Sequence, residues 1–489
     1  MIMKWINCLK IILICFPLIS CVKQNQKEAE VTESSKPNII YILTDQWRAQ
    51  STGYSGDPNL VGKTPNLDRL AEQSINFTNA FSVTPVCTPY RAALLTGQFP
   101  TTTGMFLNDL HLPDSSVTMA EIFKESGYET GYIGKWHLDG MGRYAYTPPE
   151  RRQGFEYWKA LECSHNYSNL MYYAGDDPEK KYWEGYGPYA ETKDAISYIQ
   201  QQSGGENPFL LVLAWGSPHF PYHKYAPEDI VGQFSIEDII LRENVPEELA
   251  EATKVQAVGY YEHIVALDKC LGQLQKAIDD SGISENTIIV FTSDHGETMG
   301  SQGVPARQKQ VPWIESVKVP FLLKYPARYQ AGKVEAPINT PDVVPTLLSI
   351  AGLPIPPHIE GEDMSKAITD DAVADEKAAL IINAVPFAAI KEPYRGIYTR
   401  RYAYFKKLDG PWLLYDNLED SLQMNNLVNK PGYEQLQTEM EAILQSKLQE
   451  IGDEFRPGDY YLDKWGYKLT NGHIDYSEGA PPQGPGMNN

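Results

Sequence analysis

Three stretches of this chain, at residues 37–43, 208–215 and 287–292, are dominated by apolar residues. A short apolar run without polar alternation predicts a strand that is buried on both faces, as in a parallel sheet. A long helical pattern at residues 247–280 lies between the second and third runs. This order of elements predicts an α/β fold that is built on a large, mostly parallel sheet.

Polar side chains come directly after each of these runs. Asp45 and Gln46 follow the first run, His219 follows the second, and Asp294 and His295 follow the third. Open α/β sheets place their functional sites at the carboxyl ends of the strands, so we expect these side chains to meet there. The simpler alternative for Asp45 is a turn or a helix cap, which is common after a strand.

Lys135 and His137 follow a fourth predicted strand at residues 128–133. At positions i and i+2 of an extended backbone they would face the same side. Two basic groups on one face suit a doubly charged anion. A solvated lysine and a core histidine are the alternative.

Cys87 begins a stretch in which Pro89 and Arg91 lead into a short apolar run. Proline suits the first turn of a helix, which would place Cys87 at a helix N-terminus where the dipole favours an anion. Arg91 could then direct its guanidinium toward an oxyanion near Cys87. The alternative is a small buried cysteine in a loop.

The pattern Cys-x-Pro-x-Arg at residues 87–91, followed by Thr96 and Gly97, resembles the signature of the type I sulfatases of the alkaline phosphatase superfamily. In that family a maturation enzyme oxidises the cysteine to formylglycine, whose hydrated aldehyde is the nucleophile. Other family motifs follow in order, with Gly-Lys-x-His at 134–137, Pro-His at 218–219 and Ser-Asp-His-Gly-Glu at 293–297. The resemblance implies an alkaline-phosphatase-like α/β/α sandwich and a smaller C-terminal α+β domain with an antiparallel sheet.

The resemblance also implies a role for each motif. The catalytic set would be Cys87, Arg91, Lys135, His137, His219 and Lys309. The metal ligands would be Asp45, Gln46, Cys87, Asp294 and His295. Gln46 departs from the usual second aspartate and offers a neutral carbonyl oxygen instead. Oxygen-rich donors suit Ca²⁺, and the single imidazole leaves Mg²⁺ and Mn²⁺ as alternatives.

The N-terminus predicts export. Lys4 and Lys10 precede an apolar run at residues 11–19 that ends in Ser20-Cys21, which is typical of a secretory signal and too short for a membrane span. Residues 18–21 also resemble a bacterial lipobox, which implies cleavage before Cys21 and its lipidation. An ordinary signal peptide with an incidental cysteine is the alternative. We therefore expect a signal peptide at 1–20, a lipidated tether at 21–36, a catalytic domain at 37–375 and a C-terminal subdomain at 376–489, in a membrane-anchored protein of the periplasm or the cell surface.

The net charge restricts which ligands the protein can bind, and the cysteine content restricts which disulfides it can form. Removal of residues 1–20, with Lys4 and Lys10 and no acidic residue, changes the net charge from -21 to -23. Such a chain does not attract nucleic acid, and an anionic substrate needs a local basic pocket. Of the remaining thiols, Cys163 and Cys270 could pair in an oxidising compartment, but their separation in sequence does not decide it.

These observations predict a sulfatase that acts on a sulfated polysaccharide or its oligosaccharides. Aromatic residues crowd positions 157–189, where they either pack the insertion or stack on sugar rings. Candidate substrate contacts are Arg48, His165, Arg307 and Arg395. The predicted partners are the substrate, a formylglycine-generating or anaerobic maturating enzyme, and the membrane. The alternatives are a phosphate or phosphonate monoester hydrolase of the same superfamily and a lipoprotein that binds sulfated glycans without turnover.

Overall fold

The structure is a computed structural model that describes residues 36–370, 373, 377–477 and 479–487. The predicted signal peptide, nearly all of the tether and Cys21 lie outside the described residues. The chain from residue 36 onward forms one compact unit. Among the described residues, no helix combines the length and the apolar character that a membrane span requires.

The described ranges contain nineteen strands and ten α-helices. The strands are β1 (Asn38–Asp45), β2 (Ile75–Phe77), β3 (Ala80–Phe81), β4 (Glu129–Lys135), β5 (Tyr157–Leu161), β6 (Met171–Ala174), β7 (Asp177–Tyr182), β8 (Phe209–Pro218), β9 (Thr287–Ser293), β10 (Lys318–Val319), β11 (Phe321–Lys324), β12 (Gly332–Val334), β13 (Ile338–Asn339), β14 (Ala379–Asn383), β15 (Tyr394–Tyr398), β16 (Tyr402–Lys407), β17 (Gly410–Asp416), β18 (Leu469–Thr470) and β19 (His473–Ile474). The helices are α1 (Pro65–Glu72), α2 (Cys87–Thr96), α3 (Pro100–Thr103), α4 (Met119–Glu125), α5 (Gly187–Gln202), α6 (Glu247–Asp280), α7 (Ile314–Val317), α8 (Val343–Ile350), α9 (Glu434–Glu450) and α10 (Gly458–Trp465).

The main sheet has ten strands in the order β12-β2-β11-β9-β1-β8-β4-β5-β6-β7. The five central strands from β9 to β5 are parallel to one another. Antiparallel strands extend the sheet on both sides, with β11 next to β9 and β6 next to β5. The predicted large, mostly parallel sheet is therefore confirmed, and all four predicted site-bearing strands lie side by side in it.

Helices cover both faces of this sheet. Successive residues of β1 point to opposite faces, so that Ile39, Tyr41 and Leu43 belong to one hydrophobic cluster and Ile40 and Ile42 to another. Helices α2, α4 and α8 contribute to the first cluster, and α1, α5 and α6 to the second. The arrangement is the predicted α/β/α sandwich.

The C-terminal part contains a four-stranded antiparallel sheet in the order β14-β15-β16-β17, with α9 packed against it. A hydrophobic cluster joins Leu380, Leu414 and Leu444 of this part to Val83 and Ala93 of the preceding part. The predicted small antiparallel domain is confirmed as a structural element. Its predicted boundary after residue 375 falls next to residues that are not described, and stays a prediction.

The aromatic-rich insertion forms the far edge of the main sheet, with strands β5 to β7 and the start of α5. Tyr167 and Trp158 are buried, and Tyr172 stacks on Trp183 with ring centroids 3.9 Å apart. Most of these rings therefore pack the insertion itself.

Candidate active site

Four strand ends and one helix start meet at the carboxyl edge of the sheet. Asp45 ends β1, Lys135 ends β4, and His219 and Asp294 come directly after β8 and β9. Cys87 is the first residue of α2, whose N-terminus points into the same place. This is where open α/β sheets carry their sites, and the sequence predicted this meeting.

The Cys87 thiol lies at the centre of the cluster and is 2% exposed. Its Sγ lies 3.5 Å from His295 Nε2, 3.5 Å from Lys135 Nζ and 3.4 Å from Lys309 Nζ. Burial and the Asp45 carboxylate act to raise the pKa of this thiol, but Lys135 and Lys309 outweigh them and lower it well below its usual value. The position is therefore electropositive, which suits a reactive side chain.

A group of donors that could hold a metal ion surrounds this thiol. One ligand atom each from Asp45, Cys87, Asp294 and His295 lies within 4.8 Å of all the others. His295 Nδ1 donates to the Gly296 carbonyl at 2.9 Å, which leaves the Nε2 lone pair facing the cluster. Burial and then the neighbouring Asp45 carboxylate raise the pKa of Asp294 to about 6. Two buried carboxylates side by side, with an imidazole nitrogen turned toward them, fit a divalent cation.

Gln46, the predicted neutral ligand, has a left-handed backbone with φ 65° and a fully buried side chain. Its Nε2 donates to Tyr222 Oη at 3.2 Å and to Glu297 Oε2, and Tyr222 donates to the same carboxylate oxygen. These bonds fix the amide so that Oε1 faces the cluster, 3.4 Å from Lys309 Nζ. Sequence reasoning gave no role to Tyr222 or to Glu297, although Glu297 is the last residue of the Ser-Asp-His-Gly-Glu motif.

Arg91 bridges the two aspartates of the cluster. Its Nη2 lies 3.1 Å from Asp45 Oδ2 and 3.2 Å from Asp294 Oδ2, and Nη1 donates to the Lys135 carbonyl at 2.7 Å. The sequence predicted a guanidinium that points at an oxyanion near Cys87. Arg91 holds the two carboxylates in place and balances part of their charge, and its contact with a bound oxyanion stays a prediction.

Lys135 and His137 reach the cluster by a different geometry from the predicted one. Strand β4 ends at Lys135, and His137 has a left-handed backbone with φ 60°, so the extended backbone assumed for the pair is wrong. Lys135 Nζ lies 2.6 Å from Asp45 Oδ2, and His137 Nε2 lies 2.7 Å from Asp109 Oδ1. Cys163 and Asp109 raise the pKa of His137 to about 10 against the effect of burial, so the imidazole carries a proton at neutral pH.

His219 and Lys309 form a second pair of basic side chains beside Cys87. His219 Nδ1 donates to the Phe220 carbonyl at 2.7 Å, so its Nε2 is free to accept from Lys309 Nζ at 2.8 Å. Burial, and then Lys309, lower the pKa of His219 well below its usual value. The His165 ring stacks on the His219 ring with centroids 4.1 Å apart, so His165 lies at the rim of the cluster.

The three arginines that were predicted to contact the substrate lie in different environments. Arg395 is fully buried in the C-terminal part, where it bonds Asp453 Oδ2 at 2.5 Å, and this contradicts a substrate contact. Arg48 is 3% exposed, donates to Ser51 Oγ at 2.7 Å and lines a cavity of about 800 Å³ that none of the cluster residues line, so its substrate contact stays a prediction. Arg307 is exposed and lies over the Phe220 ring, next to the His219 and Lys309 pair. Cys163 and Cys270 are both free thiols.

The sheet and this cluster together define a hydrolase of the alkaline-phosphatase-like α/β class. Comparison with known families narrows the class. The model of the sulfatase family matches residues 37–353, and a model described as the C-terminal region of N-sulphoglucosamine sulphohydrolase matches residues 307–450. The chain belongs to the sulfatase family, and it is a hydrolase of sulfate esters. The family implies a formylglycine and a divalent metal.

Several characterised relatives are similar over nearly the whole chain. An ulvan-active sulfatase of Formosa agariphila is 51% identical over 460 residues, which cover 93% of this chain and 89% of the relative. An endo-4-O-sulfatase of Bacteroides thetaiotaomicron is 29% identical and covers 84% of this chain and 92% of the relative.

Solved structures agree with this assignment. A Bacteroides thetaiotaomicron protein from work on glycosaminoglycan metabolism is 27% identical with a TM-score of 0.76, covering 88% of this chain and 98% of that one. A phosphonate monoester hydrolase of Silicibacter pomeroyi, 18% identical with a TM-score of 0.70 over 86% of this chain and 96% of that one, shares the fold alone. The comparisons give no support to the phosphatase or the non-catalytic alternative.

Proposed function

We propose that this enzyme removes sulfate esters from ulvan or a related sulfated polysaccharide, using a formylglycine made from Cys87. The observation that carries the proposal is the position of Cys87 Sγ, which contacts both Lys135 Nζ and Lys309 Nζ and belongs to the group of metal donors. The relative with the highest identity reported above acts on ulvan, which supports a polysaccharide substrate.

We propose Ca²⁺ as the metal, with Asp45, Gln46, Asp294 and His295 as its ligands beside position 87. Carboxylate and amide oxygens are typical calcium ligands, and a single imidazole also admits Mg²⁺ or Mn²⁺. The bound ion would supply Lewis-acid polarisation of a sulfate oxygen and would acidify the hydroxyl at position 87. Because Gln46 is neutral, only two carboxylates face the ion directly.

One hydroxyl of the hydrated formylglycine would attack sulfur while the S–O bond to the leaving alcohol breaks. The second hydroxyl would then lose its proton, the C–O bond to the sulfate would break, and the aldehyde would be restored. The chain contributes the proton acceptor for this chemistry. Asp294 would be this acceptor, because its carboxylate lies in the same group of side chains as position 87. Arg91 keeps Asp45 and Asp294 in fixed orientation.

Lys309 would protonate the leaving alcohol. His219 is neutral, because its pKa is lowered, and accepts a hydrogen bond at Nε2 from the Lys309 ammonium group. This bond directs the ammonium group toward position 87. Lys135 and the protonated His137 are placed to stabilise the charge on the sulfate oxygens, as basic groups do in phosphoryl transfer.

We also propose that the protein is exported, cleaved before Cys21 and lipidated there, in the periplasm or at the cell surface. A formylglycine-generating or anaerobic maturating enzyme would modify Cys87 before or during export. The support for this part is the charged and apolar N-terminus with its Leu-Ile-Ser-Cys ending at residues 18–21.

Substitution of the nucleophile tests the function. Cys87→Ala should lower sulfate release from ulvan oligosaccharides and from 4-nitrophenyl sulfate by at least about a thousandfold with Ca²⁺ present, because no covalent route remains. Cys270→Ala, a buried thiol on α6, is the matched control and should keep activity. Mass spectrometry of the active protein should find the Cys87 peptide lighter than the gene encodes. Substantial activity of Cys87→Ala, or an intact thiol in fully active protein, would contradict the proposal.

A further inference from the structure

Two guanidinium groups, those of Arg143 and Arg307, lie beside the cluster. Arg143 follows β4 and is half-buried, and Arg307 follows β9 and is exposed. Within the described ranges, neither forms an ion pair with an acidic side chain, although the chain has 63 acidic and 42 basic residues. Arg143 Nη1 contacts Cys163 Sγ at 3.4 Å, and Arg307 donates to Gln256 Oε1 at 3.0 Å. In such an acidic protein an arginine without an acidic partner is available for an anionic ligand.

A row of contacts connects the two arginines and passes through the catalytic pair. Arg307 lies 4.7 Å over the Phe220 ring, whose centroid is 6.2 Å from that of His219. His219 stacks on His165 at 4.1 Å. His165 Nε2 in turn lies 3.8 Å from Cys163 Sγ, the atom that Arg143 contacts. His219, which accepts from Lys309, therefore lies between the two arginines in this row.

Other contacts hold the two arginines in place. The Arg143 guanidinium lies 5.6 Å from the Tyr476 ring centroid, and the Tyr476 phenol donates to the buried Glu162. The Arg307 backbone N–H donates to Glu297 Oε1 at 2.8 Å. Both side chains are therefore anchored at the base, while their guanidinium groups keep hydrogen-bond donors for a ligand.

We infer that Arg143 and Arg307 bind anionic groups on the two sugars that flank the sulfated sugar, so that the substrate is a saccharide with charged neighbours on both sides of the cleaved ester. The inference rests on the proposed function and specifies its substrate. A guanidinium fork matches a carboxylate or a sulfate in two parallel hydrogen bonds. Two such contacts would also offset the long-range repulsion between a polyanion and a chain of net charge -21.

A comparison of a large and a small substrate distinguishes binding of the flanking sugars from the chemical step. In matured protein, Arg143→Gln and Arg307→Gln should each lower kcat/KM for ulvan oligosaccharides by roughly fivefold more than for 4-nitrophenyl sulfate, which has no flanking sugar. The double variant should lose roughly 25-fold if the two contacts act independently. Lys276→Gln removes the same charge from the exposed end of α6 and is the matched control, with no effect on either substrate.

Binding to Cys87→Ala protein gives a readout that does not depend on turnover. Calorimetric titration with the same oligosaccharides should show the same losses of affinity for the arginine variants, and these losses should shrink at high salt. Equal losses for both substrates, or unchanged oligosaccharide affinity in both variants, would overturn the inference. Sulfate release that is equal in all variants would contradict the inference but leave the proposed function intact. Oligosaccharide binding that depends on both arginines, without any sulfate release by the matured wild type, would contradict the function but support the inference.

Discussion

Gln46→Asp would place a carboxylate where the structure has a neutral amide, and it directly tests the charge arrangement behind the metal donors. The Gln46 amide nitrogen donates to Glu297 Oε2 and to Tyr222 Oη, and all three side chains are fully buried. Aspartate cannot donate these hydrogen bonds. It would instead bring a second negative charge toward Glu297, which accepts from other donors through both of its oxygens.

The size of the effect follows from Coulomb's law. Two unit charges about 4 Å apart repel by about 4 kcal/mol at an effective dielectric constant of about 20. In the metal-free protein this repulsion lowers the free energy of unfolding. We therefore expect metal-free Gln46→Asp to be less stable than the wild type by up to about 4 kcal/mol at pH 8.

The loss should depend on pH with a defined sign. Because the introduced carboxyl group and Glu297 repel each other when both are charged, one of them keeps a proton in the folded variant. In the unfolded chain the same group loses its proton near pH 4. Between about pH 4 and 8 the folded variant then binds more protons than the unfolded chain, so its stability falls as the pH rises, by at most about 1.4 kcal/mol per pH unit. The difference from the wild type should therefore be small near pH 5 and largest near pH 8.

The exchanged pair completes the test. In Gln46→Asp with Glu297→Gln, the amide and the carboxylate change places, and the new amide can donate to the new carboxylate. We expect the double variant to unfold within about 1 kcal/mol of the wild type, although each single change destabilises the protein. Urea denaturation in EDTA at pH 5 and pH 8 measures all four proteins, and the exposed Gln449→Asp serves as the charge control. Additive effects of the two changes within about 0.5 kcal/mol would refute the reasoning.

Three further predictions concern other parts of the molecule. Burial, and then Asp194, raise the pKa of Glu191 to about 8, and neither of its carboxyl oxygens has a hydrogen-bond partner among the described residues. Because the folded protein keeps this proton while the unfolded chain loses it near pH 4.5, stability should fall between about pH 5 and 8, and Glu191→Gln should remove that part of the slope in thermal melts. Asp453→Ala leaves the buried Arg395 guanidinium without its carboxylate and should cost about 3–5 kcal/mol in urea denaturation, whereas Asp475→Ala at an exposed site should cost less than about 0.5 kcal/mol. Cys21→Ser should move the protein from the membrane fraction to the soluble fraction of cells and prevent palmitate labelling, and unchanged membrane association would contradict the lipid anchor.

The central elements could be predicted because their sequence patterns depend on burial alone. Strands β1, β8 and β9 are apolar on both faces, and α6 keeps one helical period over its whole length from Glu247 to Asp280. The edge strands β5 to β7 carry no such pattern. Every residue of β7 except Lys181 is exposed, so no alternation of apolar and polar residues marks it. Strands β2 and β3 are also too short to show a pattern, and they belong to different sheets, because β2 joins the main sheet and β3 joins a separate three-stranded sheet.

The site residues divide in the same way. The end of a buried strand determines where some of them lie, and tertiary packing determines the contacts of the others. A residue that follows a buried parallel strand must emerge at the carboxyl edge of the sheet, so Asp45, His219 and Asp294 could be placed from the sequence. Arg395 could not, because a guanidinium has the same donors whether it faces a substrate or a buried carboxylate, and only the packing of β15 against Asp453 decides between them. The same argument explains why no role could be predicted for Glu297. Its function depends on contacts with an amide 251 positions earlier in the chain, and nothing in the local pattern indicates that distant partner.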